Sequence, residues 1–148
     1  MQDHVTTHQA QEDSRNEDIL IYLNGRIVPK AQAVVSVYDS GFMLGDGIWE
    51  GLRLYDGTWA FLSDHFDRLF EAAKAIDLDI GMTREALISG LLETQKANGM
   101  TTDAHARLMS TRLCRNPGPQ SRSLWNIPAR ICRVLSGWLP CRICGGCR

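Results

Sequence analysis

Residues 113–148 contain no aspartate, no glutamate and no lysine, although the 148-residue chain as a whole is close to neutral, with a net charge of −1. All 17 acids lie in residues 1–112 against ten Lys and Arg, a balance of −7, whereas the final stretch carries six Arg, a balance of +6. Cysteine shows the reverse pattern: the first 112 residues have none, and all five cysteines fall after them with four of the five prolines. One average composition therefore does not describe the chain, which divides near residue 112 into two unlike parts. No run of about 18 apolar residues occurs, so no segment reads as a membrane-spanning helix. The opening MQDHVTTHQAQEDSRNED lacks the apolar centre of a signal peptide. These absences lead us to expect a soluble, cytoplasmic protein with reduced thiols and no membrane partner, long enough for one domain with a real core.

What is present is best read in order. Residues 1–18 are polar without a hydrophobic period and read as a disordered lead. Residues 19–23 and 26–28 flank Asn24-Gly25, the dipeptide that accepts left-handed turn angles, and predict a hairpin stopped by Pro29. Residues 33–37 read as a short β-branched strand. Residues 38–47 read as a loop whose Gly41, Gly45 and Gly47 lack the spacing of a nucleotide-phosphate fingerprint, so turn geometry accounts for them.

From 48 to 55, Trp49, Gly51, Arg53 and Tyr55 alternate with Ile48, Glu50, Leu52 and Leu54, the period of a strand with two unlike faces. Asp56-Gly57 then turns the chain into a return strand over 58–62. A helix follows, with Ser63 as its cap, Asp64 and Asp67 in the first turn, and a buried stripe of Phe66, Leu69, Phe70, Ala73 and Ile76. Arg68 lies off that stripe, on a second face with His65, Ala72 and Ala75. A second helix over 84–98 has Thr83 as cap, Leu87, Ile88, Leu91 and Leu92 as its stripe and Gly99 as its stop. Residues 104–111 alternate again and read as the last strand. The expected class is α+β: a mostly antiparallel sheet with two packed helices, followed by an irregular C-terminal tail.

The ordered series formed by the Asn-Gly hairpin, GDGIWEGLRLYDG and LSDHFDRLFEAAKAI resembles the small amino-terminal domain of class IV pyridoxal-phosphate aminotransferases, the branched-chain and D-amino-acid aminotransferases, over residues 19–112. The resemblance implies pyridoxal 5′-phosphate as cofactor, an amino acid and a 2-oxo acid as small-molecule substrates, and a homodimer in intact relatives. It implies that Arg68, the arginine of H-x-x-R-L, binds the cofactor's phosphate. A planar guanidinium fork suits a dianion, although spacing alone reads this residue as a solvated helix arginine. It also implies that Trp49 and Arg53 line the substrate pocket; taken singly, Trp49 reads as core and Arg53 as surface. His65 reads as a helix-face histidine without a catalytic role. The loop GFMLGDG is similar to the D-amino-acid group and EGLR to the branched-chain group, which leaves the substrate open. The same domain also fits an aminodeoxychorismate-lyase-like member of the family.

The resemblance ends at Thr111-Arg112-Leu113, where relatives continue Thr-Arg-Gly. Residues 113–148 show no helix or strand period that survives their prolines. Asn116-Pro117-Gly118-Pro119 can be encoded so that reading one base later gives Thr-Gln-Asp-Pro, a stretch similar to one in related chains; a frameshift near codons 112–115 is therefore expected. The family's cofactor-bearing lysine and the carboxylate facing the cofactor's ring nitrogen belong to its larger second domain. Here the lysines are Lys30, Lys74 and Lys96, none matching the family's, so no catalytic residue is assigned and the chain by itself is expected to be inactive.

Readings from other classes are a non-catalytic fragment, or a metal- or nucleic-acid-binding tail. Cys141, Cys144 and Cys147, with Cys132 or Cys114, could hold zinc or an iron–sulfur cluster, but no second C-x-x-C pair stands beside them, and no metal ligand is assigned. Trp125 and Trp138 could stack on bases, but the arginines are scattered among prolines, which argues against a nucleic acid as partner.

Overall fold

The computed structural model describes residues 13–112 and the backbone of residues 131–137. Strands β1 (Leu20–Leu23) and β2 (Arg26–Pro29) form the first hairpin, with Asn24 and Gly25 at φ of 52° and 85°. Asn and Gly are the residues that bear these angles with least strain, as the sequence indicated. Residues 33–37 make no strand. The chain there joins no ladder: the Ala33 and Val34 amides donate to the nearby Lys30 and Gln32 carbonyls, and Val34, at 74% exposure, and Val37 face solvent. Their β-branching was a propensity without a ladder to join.

The expected loop contains a short helix, α1 (Ser40–Leu44). Buried Asp39 starts it: one carboxylate oxygen accepts the amide hydrogens of Gly41 (2.9 Å) and Phe42 (3.3 Å), and the other accepts the Thr111 hydroxyl (3.0 Å). Gly45, at φ 70°, ends it.

Strand β3 (Gly47–Tyr55) turns through Asp56-Gly57 into β4 (Thr58–Trp59). The return strand stops three residues earlier than expected, because Phe61 adopts a left-handed conformation (φ 50°) and sends the chain into α2 (Leu62–Ala75). Helix α2 thus begins ahead of Ser63, which does not cap it; the Ser63 carbonyl and hydroxyl accept instead from Arg84. Helix α3 (Arg84–Ala97) is capped as the sequence indicated, the Thr83 hydroxyl accepting from the Ala86 amide (3.2 Å), with Gly99 left-handed beyond its end. Its inner stripe is Leu87, Gly90, Leu91 and Thr94; Leu92 is exposed.

Strand β5 (Ala104–Thr111) runs antiparallel to β3 along its length. A further strand, β6 (Ile131–Gly137), lies between β1 and β5, so β5 is internal and the sheet order is β2-β1-β6-β5-β3-β4, all antiparallel. The reading of 113–148 as free of strand period missed these seven residues, which lie between Pro128 and Pro140 and contain no proline themselves. The cysteine and tryptophan side chains invoked for a metal or nucleic-acid tail lie outside the described residues.

The register fixes the layers. Tyr22, Val134, Leu108 and Glu50 occupy one row across four strands. Tyr22 packs under Gly90 of α3, and Glu50 bonds to α2, so both helices cover the same face. Phe66, Leu69, Leu87 and Leu91 there meet Ile48, Leu52, Leu54, Ala104, Ala106 and Leu108, all buried. Each large side chain so buried contributes about 1.5–3 kcal/mol. On the other face the short helix α1 packs at one end, where Gly41 lies against the Thr111 side chain, and among the described residues no helix is long and apolar enough to cross a membrane.

Candidate functional site

The β3 alternation sets one anomaly into the core face: Glu50 is 5% exposed in a row otherwise made of Ile48, Leu52 and Leu54. A carboxylate in such a place is costly unless ionic and hydrogen-bonded partners meet it. Helix α2 supplies them. Arg68 donates from Nε to Oε1 (2.6 Å) and from Nη2 to Oε2 (2.5 Å), and His65 Nδ1 lies 2.8 Å from Oε2. The side-on fork of Arg68 holds the Glu50 carboxyl below the usual glutamate range against the opposing effect of burial, and His65 adds to it. The ionised carboxylate can only accept, so His65 carries its proton on Nδ1. The 3.3 Å approach of Arg68 Nη2 to that nitrogen then sets donor against donor and is not a hydrogen bond.

Only one edge of the guanidinium is spent on Glu50. The Arg68 side chain is 67% exposed, and its Nη1 makes no hydrogen bond among the described residues. Beside it, Ala72 and Ala75 offer no bulk. A rigid fork with unclaimed outward donors and small neighbours fits the phosphate of a cofactor such as pyridoxal phosphate.

The opposite face of β3 carries Trp49, Gly51 and Arg53, and the register sets Met109, Arg107 and His105 of β5 across from them. Trp49 is 60% exposed, which removes the reading of it as a core residue. The Arg107 guanidinium carbon stands 4.8 Å from the centre of its ring, within cation–π range. His105 lies against Gly51, where an added Cβ would come within 2.9 Å of Nε2. Burial lowers the His105 pKa from its ordinary value, and the charges of Arg53 and then Arg107 lower it further. Neither arginine has an acidic partner among the described residues. The result is an aromatic surface edged by two unneutralised cations, suited to a carboxylate attached to an apolar body.

Of the three residues singled out in the sequence, Trp49 and Arg53 share a face, and Arg68 lies on the other. The two faces meet at an open edge. Strand β4 pairs β3 only at Leu54 and Tyr55, and the Ala60 amide donates to the Arg53 carbonyl (2.9 Å). Among the described residues the segment 47–52 has no strand on that side. The sequence reading passed over Glu50, His105 and Arg107. Glu50 signalled itself as the one charge in the inward set of β3. His105 and Arg107 could have been placed on a face by the alternation of 104–111, but which strand they oppose required the register.

A shallow cleft between α2 and α3, lined by Asp67, Phe70, Glu71, Lys74 and Arg84, lies round the helix from Arg68. Arg84 pairs there with Asp67, so the charges are largely balanced. The lysines stand apart from Arg68: Lys30 donates to the Asn16 carbonyl (3.2 Å), Lys74 lines that cleft, and Lys96 is in the last turn of α3.

The fold is that of the small domain of class IV aminotransferases, and comparison with known proteins places the resemblance over the amino-terminal three fifths of the chain. A protein of Methanocaldococcus jannaschii, provisionally named a branched-chain-amino-acid aminotransferase, is 47% identical over 92 residues, 62% of this chain and 32% of its own length. A D-alanine aminotransferase of Staphylococcus haemolyticus is 39% identical over 80 residues, 54% of this chain and 28% of its own. Among solved structures, the branched-chain aminotransferase of Thermoproteus uzoniensis with norvaline superposes with a TM-score of 0.65 at 28% identity, covering 80% of this chain and 40% of that one. The T.th. branched-chain amino acid aminotransferase complexed with N-(5′-phosphopyridoxyl)-L-glutamate gives 0.68 at 25% identity over 81% and 41%. No protein-family model matches the chain. The chain spans about a third of the length of its M. jannaschii relative.

Proposed function

We propose that residues 19–112 form the small-domain wall of a pyridoxal-phosphate-dependent aminotransferase acting on an amino acid, branched-chain or D, and a 2-oxo acid. Arg68 holds the cofactor phosphate, and Trp49 and Arg53, joined by His105 and Arg107, face the substrate. The observation that carries this reading is the Arg68 fork, locked on its inner edge by buried Glu50 and open on its outer edge. When bound, the cofactor supplies the electron sink for amino transfer; the residues here bind and orient. Trp49 offers the apolar floor for a side chain, and the cations attract carboxylate.

Lys74 is six residues beyond Arg68, about 240° round the helix, while Lys30 bonds the Asn16 carbonyl and Lys96 belongs to the last turn of α3. We therefore infer that this polypeptide alone does not turn over an amino donor. Calorimetric titration with pyridoxamine 5′-phosphate, which binds without a lysine, is the test. Saturable binding lost in Arg68→Ala supports the assignment; binding indifferent to that change refutes it.

The domain limits are part of the same proposal, with a change of reading frame near codons 112–115 separating residues 19–112 from residues 113–148. The charge break at residue 112 supports it. Sequencing the gene decides it: absence of an aminotransferase-like continuation in the shifted frame refutes the frame change.

A further inference from the structure

Glu50 poses a question that the phosphate reading leaves unanswered. A site for a dianion keeps a buried anion directly behind its one arginine, which on Coulomb grounds alone weakens anion binding. The geometry supplies a reason. Arg68 stands on a mostly exposed stretch of α2, where a four-torsion side chain otherwise samples many rotamers, and ordering it when a ligand arrives costs conformational entropy. Glu50 takes Nε and Nη2 together, and because the guanidinium is planar and rigid, fixing that edge fixes the direction of Nη1 and of the second Nη2 hydrogen. His65 in turn holds Oε2, so the carboxylate cannot rotate away from the fork. Glu50 is anchored by the β3 ladder and His65 by the first turns of α2, which ties the direction of the fork to the packing of helix on sheet.

We propose that Glu50 and His65 are positioning residues for Arg68: they preset its guanidinium with the outer edge toward solvent, so that a phosphate monoester meets an already oriented fork. This rests on the phosphate assignment for Arg68 and goes beyond it by naming what makes that residue competent. The two groups touch no ligand; they act through Arg68.

The sign of one substitution separates positioning from simple charge. Glu50→Gln keeps the shape and removes the charge. If charge alone matters, pyridoxamine 5′-phosphate binds more tightly to E50Q; if positioning dominates, Kd rises about tenfold. His65→Phe, which removes the second anchor, raises it about threefold. In an Arg68→Lys background the E50Q effect disappears, because a lysine has no fork to orient. The full chain also gives a readout that needs no ligand. In ¹⁵N-edited NMR the Arg68 Nε–H of the wild type is a resolved, slowly exchanging signal, shifted downfield by its carboxylate, and His65 is the Nδ1–H tautomer. E50Q collapses the arginine signal into the exposed-arginine envelope while the core amide resonances stay in place.

Tighter binding in E50Q, or an undiminished E50Q effect in the lysine background, overturns the positioning role and leaves Arg68 as the phosphate ligand. A wild-type Arg68 Nε–H already averaged with the exposed arginines also overturns it. Unchanged binding in R68K and in R68A refutes the phosphate assignment instead, and the NMR signal then judges the positioning role without it.

Discussion

Replacing Gly90 by alanine sets two well-known effects against each other. Gly90 lies inside α3, where alanine is favoured over glycine by about 0.8–1 kcal/mol because it narrows the unfolded chain's backbone freedom. On propensity alone the variant is stabilised. The inner surface of the helix decides otherwise. A Cβ at this position would stand 2.8 Å from Cζ of Tyr22 and 3.1 Å from each Cε, several tenths of an ångström inside ordinary contact. The ring is buried, and its residue is paired to β2 on one side and to β6 on the other, so it cannot recede without disturbing two ladders. Forcing a methyl into such a place costs about 1–3 kcal/mol. Packing therefore wins, and Gly90→Ala is destabilised by about 1 kcal/mol net, which lowers Tm by a few degrees for a domain of this size. Urea unfolding followed by circular dichroism measures it, with the exposed neighbour Ser89→Ala as a control that should lose nothing. A Gly90→Ala chain more stable than wild type by the propensity difference would refute the contact between α3 and Tyr22.

Three other outcomes follow from the same geometry. Ser110 is 1% exposed and its hydroxyl has no partner among the described residues; Ser110→Ala should be neutral or more stable by up to about 1 kcal/mol, and a loss above that, in the same urea assay, shows that the hydroxyl is satisfied. Asp39→Ala removes the cap of α1 and the Thr111 bond at once, costing about 2 kcal/mol, and hydrogen exchange at the Gly41 and Phe42 amides should quicken before that of the core; equal acceleration everywhere contradicts a local cap. His105 has its pKa depressed on folding, so the folded state binds fewer protons near the ordinary histidine value; its stability is fully present above that value and is lost as pH falls toward the folded pKa. Denaturation midpoints for His105→Gln should be flatter than wild type across that window, and parallel curves refute the burial of a neutral imidazole there.

Local chemistry was legible in the sequence, and long-range partnership was not. Asn24-Gly25 and Asp56-Gly57 announce their turns because few residues tolerate positive φ, and Thr83 and Gly99 bound α3 for reasons confined to a few residues. The two faces of β3 were readable from alternation alone. Even Asp39 carried a usable signal, an acid at the start of a short helical stretch, hidden because the glycines beside it read as loop. By contrast, the inner stripe of α3 was misjudged at Leu92, since hydrophobicity favours leucine, whereas Gly90 and Thr94 are what the Tyr22 ring leaves room for. Residues 33–37 had strand propensity but no neighbour to pair with. Helix α2 starts ahead of its expected cap because of Phe61, whose left-handed angle no propensity favours. The candidate site divides along the same line: Arg68, Trp49 and Arg53 were named through the family resemblance of their stretches and not from spacing, while Glu50, His105 and Arg107 join them only through a helix packing on a strand and a register between strands.

That division explains why β3 is the element on which both halves of the site depend. Its side chains alternate strictly, so a slip of one residue would carry Glu50 out to solvent, strand Arg68 without its anchor, and drive Trp49 and Arg53 into a leucine layer. The leucines on the inner face therefore enforce the position of the functional groups on both. Alternation alone, however, leaves a phosphate on Arg68 and a carboxylate near Arg107 on opposite sides of a sheet. They can belong to one site only where the sheet ends. Among the described residues no strand pairs with that edge of β3 from Gly47 to Leu52, because β4 pairs no further than Leu54 and α2 begins soon after it. On the proposed function, a ligand assembly gripping Arg68 at one end and lying on Trp49 at the other would cross at that edge, near Gly51, whose outer face is taken by the His105 ring. The brevity of β4, set by the left-handed turn at Phe61, thus determines whether the two faces can act together.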